Sequence, residues 1–322
     1  MFNINYIELF ILNTLIYFDL FDYPLTLLEI HQYLYTGGME GSSYTLLEIE
    51  DCLNNSENLK KIIANKNGFY FLQSREKIIE MRQKRYVLAE YKFKLARRVI
   101  QIFKYLPFIK LVAVCNNLAY LNAKKDSDID LFVITAKNRL WLSRFFLIII
   151  ITLLGLRPPK EKVKDKICLS FYVTEDNLDL EPIKIASEDI YLNYWLVQLL
   201  PFYQRENFYD KFMDANLWLK KYFPNFSPKK VGQRLRIDDS KINANIYELK
   251  EYFWRGKLGD MLETWLKNFQ YKKMSQQKKD LAIIGDKRVI ISDDMLKFHE
   301  NDRRLEYLEK FEKKRKELIE KL

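Results

Sequence analysis

Asp128 and Asp130 are the residues of this 322-residue chain whose type and spacing point most directly to chemistry. They lie in the run Asp126-Ser127-Asp128-Ile129-Asp130-Leu131-Phe132-Val133-Ile134. In an extended strand, residues i and i+2 share a face. Ile129, Leu131 and Val133 then point into a core, while Asp128 and Asp130 point the other way, roughly 7 Å apart by strand rise. Two like charges at that spacing repel unless a cation lies between them. A hard divalent ion such as Mg²⁺ takes oxygen ligands of this sort and leaves room for the phosphates of a substrate. Other reactive side chains are sparse. The chain has two histidines, His31 and His299, so a site built on histidine is not expected, and its three cysteines have no metal-ligand spacing.

The elements that must position the aspartates are legible around them. Residues 108–115 form a compact apolar run that reads as a buried strand. Residues 116–125 read as a short helix and loop, and the aspartates follow on a second strand. This order, together with Ser127-Asp128-Ile129-Asp130-Leu131, resembles the DNA-polymerase-beta-like nucleotidyltransferases over residues 111–135. The resemblance implies two Mg²⁺ held by Asp128 and Asp130, an NTP as donor, and transfer of a nucleoside monophosphate to a hydroxyl acceptor. It also implies that the residues after the first strand contact the triphosphate. Where the family carries Gly-Ser, this chain carries Asn116-Asn117. Asparagine tolerates unusual backbone angles, and its amide can donate to phosphate. Ser127 would fix the loop before the aspartates.

The family places a third carboxylate on a later strand, to activate the acceptor hydroxyl. The matching strand here, residues 166–173, offers Cys168 and Ser170, neither of them acidic. The nearest acids are Asp165, Glu175 and Asp176, at its two ends. Slow or absent turnover is therefore expected, with nucleotide binding outlasting catalysis. The alternative is a catalytically degenerate member of the fold that acts as a nucleotide- or nucleic-acid-binding regulator.

Charge and composition suit these readings. Lys and Arg number 53 against 43 Asp and Glu, a net charge of +10 that favours a polyanionic partner such as NTP or nucleic acid. At 48% hydrophobic and 30% charged residues, the chain is globular rather than disordered. The scattered cysteines fit a reducing cytoplasm. Residues 140–156 are nearly all apolar, but Arg144 interrupts them and Gly155 closes them. A span needs about 20 such residues, so stable membrane insertion is not expected and residues 145–154 read as a buried helix on the sheet.

The expected fold class is α+β in three parts. Residues 1–73 form a winged-helix-like domain, with capping boxes at Thr26–Glu29 and Thr45–Glu48 and a hairpin about Asn67-Gly68. Acidic Glu48, Glu50 and Asp51 on its second capped helix favour a protein-contact role over DNA binding. Residues 74–180 form a small mixed-sheet nucleotidyltransferase core, entered by a long helix over 74–105. That helix carries Arg75, Lys77, Arg82, Lys84, Arg85, Lys92, Lys94, Arg97 and Arg98, a candidate nucleic-acid face. Residues 181–322 form a helical C-terminal region. Within it, 178–221 read as helical and aromatic, 249–269 as a helix, 283–291 as a hairpin about Gly285-Asp286, and 302–322 as a charged helix.

Overall fold

The computed structural model describes residues 4–39, 43–159, 163–238 and 250–321. Leu249 and Leu322, the ends of two expected helices, lie outside them. The chain is α+β, with one six-stranded mixed sheet at its centre.

The N-terminal helices start where their caps require. α1 (Tyr6–Asp19), α2 (Leu27–Gln32) and α3 (Leu46–Asn55) each open on a complete capping box, at Asn5–Glu8, Thr26–Glu29 and Thr45–Glu48. A short α4 (Glu57–Ile62) follows, then the antiparallel pair β1 (Ile63–Lys66) and β2 (Phe69–Leu72). Asn67 and Gly68 join them with φ of 55° and 75°, the paired positive values of a tight two-residue hairpin loop. Leu25 forms an isolated bridge to Tyr70, which ties the α1–α2 connection to β2.

The large sheet has the order β6-β3-β4-β5-β8-β7. Its strands are β3 (Ile109–Val114), β4 (Ile129–Thr135), β5 (Ile167–Thr174), β6 (Leu200–Gln204), β7 (Val289–Ile291) and β8 (Met295–Phe298). The β4–β5 pair is parallel and the other neighbours are antiparallel. The sheet therefore draws strands from both the 74–180 and the 181–322 segments. Strand β4 is buried on both faces. Ile129, Leu131 and Val133 join the core beneath α5 (Lys77–Phe103) and α7 (Leu140–Leu153). Phe132 and Ile134 join the core shared with α1, α8 (Ile190–Gln198), α9 (Phe208–Ala215) and the terminal helix Arg304–Ile319. Asp128 and Asp130 occupy the open end of this second face.

Four expectations change. Within 178–221, Leu200–Gln204 is a strand rather than helix. Pro201 would break an interior strand but is tolerated at the sheet edge that β6 provides. Around Gly285 there is no hairpin. Ile283 ends the helix Gln276–Ile283, and Gly285 (φ 73°) caps it through Gly285 N–H to Ala282 O and Asp286 N–H to Leu281 O. Val289–Ile291 pairs instead with Met295–Phe298. The helix expected over 249–269 is interrupted at Gly256, whose extended backbone restarts it as Lys257–Lys273. Finally, α7 is buried on one side only. Leu147 and Ile151 face the sheet, whereas Leu153 is 81% exposed, because helical periodicity turns every third or fourth residue inward. Arg144 reaches Gln270 Oε1 at 2.5 Å. Among the described residues, no helix is long and apolar enough to cross a membrane.

Candidate functional site

Parallel pairing of β4 with β5 sets Asp130 beside Cys168. Side chains of paired residues in neighbouring strands share a face. The carboxylate oxygens of Asp128 and Asp130 and the Cys168 sulfur accordingly lie within 4.8 Å of one another. The register then slips: Phe132 pairs with Phe171, so β5 carries one residue more than β4 between the two pairs. Such a bulge re-aims side chains. Ser170, next to it, has its Oγ 3.0 Å from His299 Nε2.

Asn116 ends the turn out of β3 with φ 56°, the left-handed conformation that glycine usually fills. Its Oδ1 accepts from Trp195 Nε1 at 2.9 Å and more distantly from Tyr191 OH at 3.5 Å. Its side chain also hydrogen-bonds Asp130. Asn117 is turned inward, with Oδ1 accepting from Tyr120 OH at 2.6 Å. Ser127 secures the loop before the aspartates. Its Oγ donates to Lys124 O, and its carbonyl accepts from Lys92 Nζ at 2.6 Å and from Asp165 N–H at 3.1 Å.

Lys92 is 1% exposed and also pairs with Asp165 Oδ1 at 2.6 Å. On the cation-rich helix it is therefore an internal staple rather than a surface charge. Arg75, Arg82 and Arg85 likewise hold the N-terminal segment, through Asp19 and Asp22, Glu29, and Phe21 O respectively.

The electrostatics follow from crowding and burial, which Lys92 offsets only in part, at Asp128. Burial and then the neighbouring Asp128 push the Asp130 carboxyl up to about 7. Burial also raises Asp128. The Cys168 thiol is raised by burial and by both carboxylates. Among the described residues, no Lys, Arg or His forms an ion pair with either aspartate.

The candidate third acids are dispersed. Asp165 is at the aspartate end but is bonded to Lys92. Glu175 belongs to the other end of the strand: its N–H donates to Thr135 O, five residues along β4 from Asp130 and so roughly 16 Å away by strand rise. Asp176 pairs there with Lys137 at 2.5 Å.

Beside Asn116 opens a cavity of about 410 Å³, walled by Tyr191, Trp195, Lys297, His299 and Tyr307 among others. Burial, followed by Lys297, lowers His299 to about 4, so its ring is neutral at physiological pH. Sequence reading passed over His299 and Lys92. His299 meets Ser170 across 129 residues of chain, and no local pattern signals that. Lys92 looked like any cation on a charged helix. The sequence offered Cys168 only as a non-acidic residue on the expected third strand; its place beside Asp130 emerges from the β4–β5 register.

The donor set suits a divalent cation in part. Two carboxylates converge, as Mg²⁺ requires, but the third group beside them is a thiol rather than an oxygen. Compared with known proteins, the chain matches no family model, no curated protein and no solved structure.

Proposed function

We propose that the Asp128–Asp130 face is the centre of a metal-dependent nucleotidyltransferase that moves a nucleoside monophosphate from an NTP to a hydroxyl acceptor. The observation that carries this reading is the carboxylate pair, without an ion-pair partner among the described residues, at the open end of an otherwise buried strand face. The nearby cavity of ligand size is lined by Asn116 but by neither aspartate. A divalent cation held there would neutralise phosphate oxygens and favour ionisation of the acceptor hydroxyl. Asp128 and Asp130 hold it, Asn116 orients Asp130, and Ser127 with Lys92 fixes the loop. The aromatic wall of Tyr191, Trp195 and Tyr307 offers stacking area for a base. His299, 3.0 Å from Ser170 Oγ on the strand that carries Cys168, offers a neutral base. At about 4 its pKa makes it a weak one, in line with slow turnover.

The regulator reading is favoured by one observation. Asn116 and Asn117, the residues aligned with the family's phosphate loop, already have their side chains bonded to Asp130, Trp195 and Tyr120. The N-terminal order of helix, bridge, three helices and hairpin supports a winged-helix reading of residues 1–73. Glu48 and Asp51, exposed on α3, make that unit a protein-contact module rather than a DNA reader. Free thiols suit a cytoplasmic setting.

The test is calorimetric titration of each NTP with Mg²⁺ or Mn²⁺, paired with a pyrophosphate-release assay. Binding that Asp130→Asn abolishes, with release well below the common rate of roughly 10 s⁻¹, is the expected result. Absence of binding for all four nucleotides would refute the transfer reading and leave the regulator reading only its nucleic-acid-binding form.

A further inference from the structure

We infer that the cation site of this chain is a mixed carboxylate–thiolate site, formed by Asp128, Asp130 and Cys168, that prefers a thiophilic divalent ion over Mg²⁺. The inference rests on the reading of the aspartate face as a cation site, and it concerns which ion that face selects.

The argument begins with geometry. Two oxygen donors and one sulfur donor come from adjacent parallel strands, and their ligand atoms lie within 4.8 Å of one another. An ion with ligands at about 2.0–2.3 Å holds them no more than about 4.6 Å apart, so the three donor atoms need only a small inward movement to surround one ion. The register fixes them: Asp130 and Cys168 are cross-strand partners, and the loop carrying Asp128 is pinned by Lys92 through Ser127 O. Asp130's backbone carbonyl accepts from Cys115 N–H at 3.1 Å, so its side chain is the donor it offers. Asn116, bonded to Asp130, supplies the outer contact that orients a ligating carboxylate.

Chemistry then selects the ion. Mg²⁺ demands hard oxygen donors in near-octahedral array, and a thiol in its inner sphere is a poor ligand. Zn²⁺ and Cd²⁺ accept sulfur and carboxylate oxygen together and tolerate low coordination numbers. Binding replaces the Cys168 S–H bond with a metal–sulfur bond. The proton leaves to solvent, and no electron is transferred. The remaining coordination positions stay open towards solvent or a phosphate-bearing ligand.

Cd²⁺ alone is the probe, because a Cd²⁺–thiolate bond gives an ultraviolet charge-transfer band that carboxylates do not. Wild-type protein titrated with Cd²⁺ should develop the band at one equivalent, and a hundredfold excess of Mg²⁺ should leave it intact. The Cys52→Ser/Cys115→Ser double variant should keep the band, which assigns it to Cys168. Cys168→Ser should lose it and bind Cd²⁺ about tenfold or more weakly. Cys168→Asp should shift preference towards Mg²⁺ by a similar factor, with thermal melts recorded alongside to establish folding. Absence of the band in wild type, or its loss in the double variant while the melt is unchanged, overturns the inference. Nucleotide binding with Mg²⁺ that is undiminished in Cys168→Ser would also overturn it and leave the transfer reading standing. A Cd²⁺ band without any nucleotide binding would retire the transfer reading and leave the metal site.

Discussion

Two groups of at least half-buried carboxylates are built on opposite principles. Asp189 and Asp302 are matched by Arg304 and Lys297: Arg304 reaches Asp189 Oδ2 and Asp302 Oδ2 at 2.8 Å each, and Lys297 reaches Asp302 at 2.9 Å. Asp189 also caps α8 through Leu192 N–H. Burial alone would raise Asp302, but Lys297 and Arg304 more than cancel it, and its carboxyl lies below the ordinary range. Asp128 and Asp130 have no ion-pair partner among the described residues, feel Lys92 only at longer range at Asp128, and are shifted the other way. Both clusters remove carboxylates from water. One is closed by side chains of the chain itself; on the reading proposed above, the other is closed by a bound cation. On that reading the contrast is between a structural charge cluster and a functional one.

The comparison can be broken most forcefully at Arg304. We predict that Arg304→Met, which strands Asp189 and leaves Asp302 with Lys297 alone, costs about 3–5 kcal/mol in urea unfolding. A loss under about 1 kcal/mol would mean that the balanced cluster is not structural.

Asp130→Asn should act in the opposite direction. Because the folded-state value of Asp130 is raised to about 7 from an ordinary 3.8, the wild type loses stability as pH climbs from about 4 through 7. With chelator present, the variant should match wild type near pH 4 and exceed it by roughly 2 kcal/mol at pH 8. Melting temperatures at the two pH values check this, and a variant less stable than wild type at pH 8 contradicts the uncompensated pair.

Lys92→Met should cost about 1–2 kcal/mol, because Asp165 and Ser127 O lose their partner. It should also weaken divalent-cation binding about tenfold by loosening the loop. Unchanged cation affinity on calorimetry would show that the loop is held without the staple. The smallest effect is expected at an exposed pair. Glu306→Gln, which breaks surface contacts to Arg303 and Lys310, should change stability by less than about 0.5 kcal/mol.

Legibility in the sequence followed the range of the forces involved. Capping boxes at Thr26 and Thr45, the Asn67-Gly68 hairpin and the alternation of Ile129, Leu131 and Val133 are local, and each was readable within a few residues. The aspartate pair was equally visible. Strand β6 was hidden because its aromatic, Pro-containing sequence has no period of its own and forms only against β3. Gly285 carried a true signal, a positive-φ position, but a helix cap and a hairpin turn draw on the same property. At the site, Cys168 and His299 acquire meaning only through strand pairing, which local patterns do not encode. One face of α5 reads as a polyanion-binding surface until its partners Asp19, Glu29 and Asp165 are known.

The Ser170–His299 contact has a consequence for biosynthesis. Until β8 arrives, β5 is an open sheet edge, apolar and unpaired over Phe171–Val173, the segment that β8 later covers. A ribosome-bound chain that has made the aspartate strand therefore carries a sticky edge and half a cavity for more than a hundred residues of synthesis. At about 5–20 residues per second that is an interval of several seconds or more, long enough for a chaperone to be the first partner this strand meets.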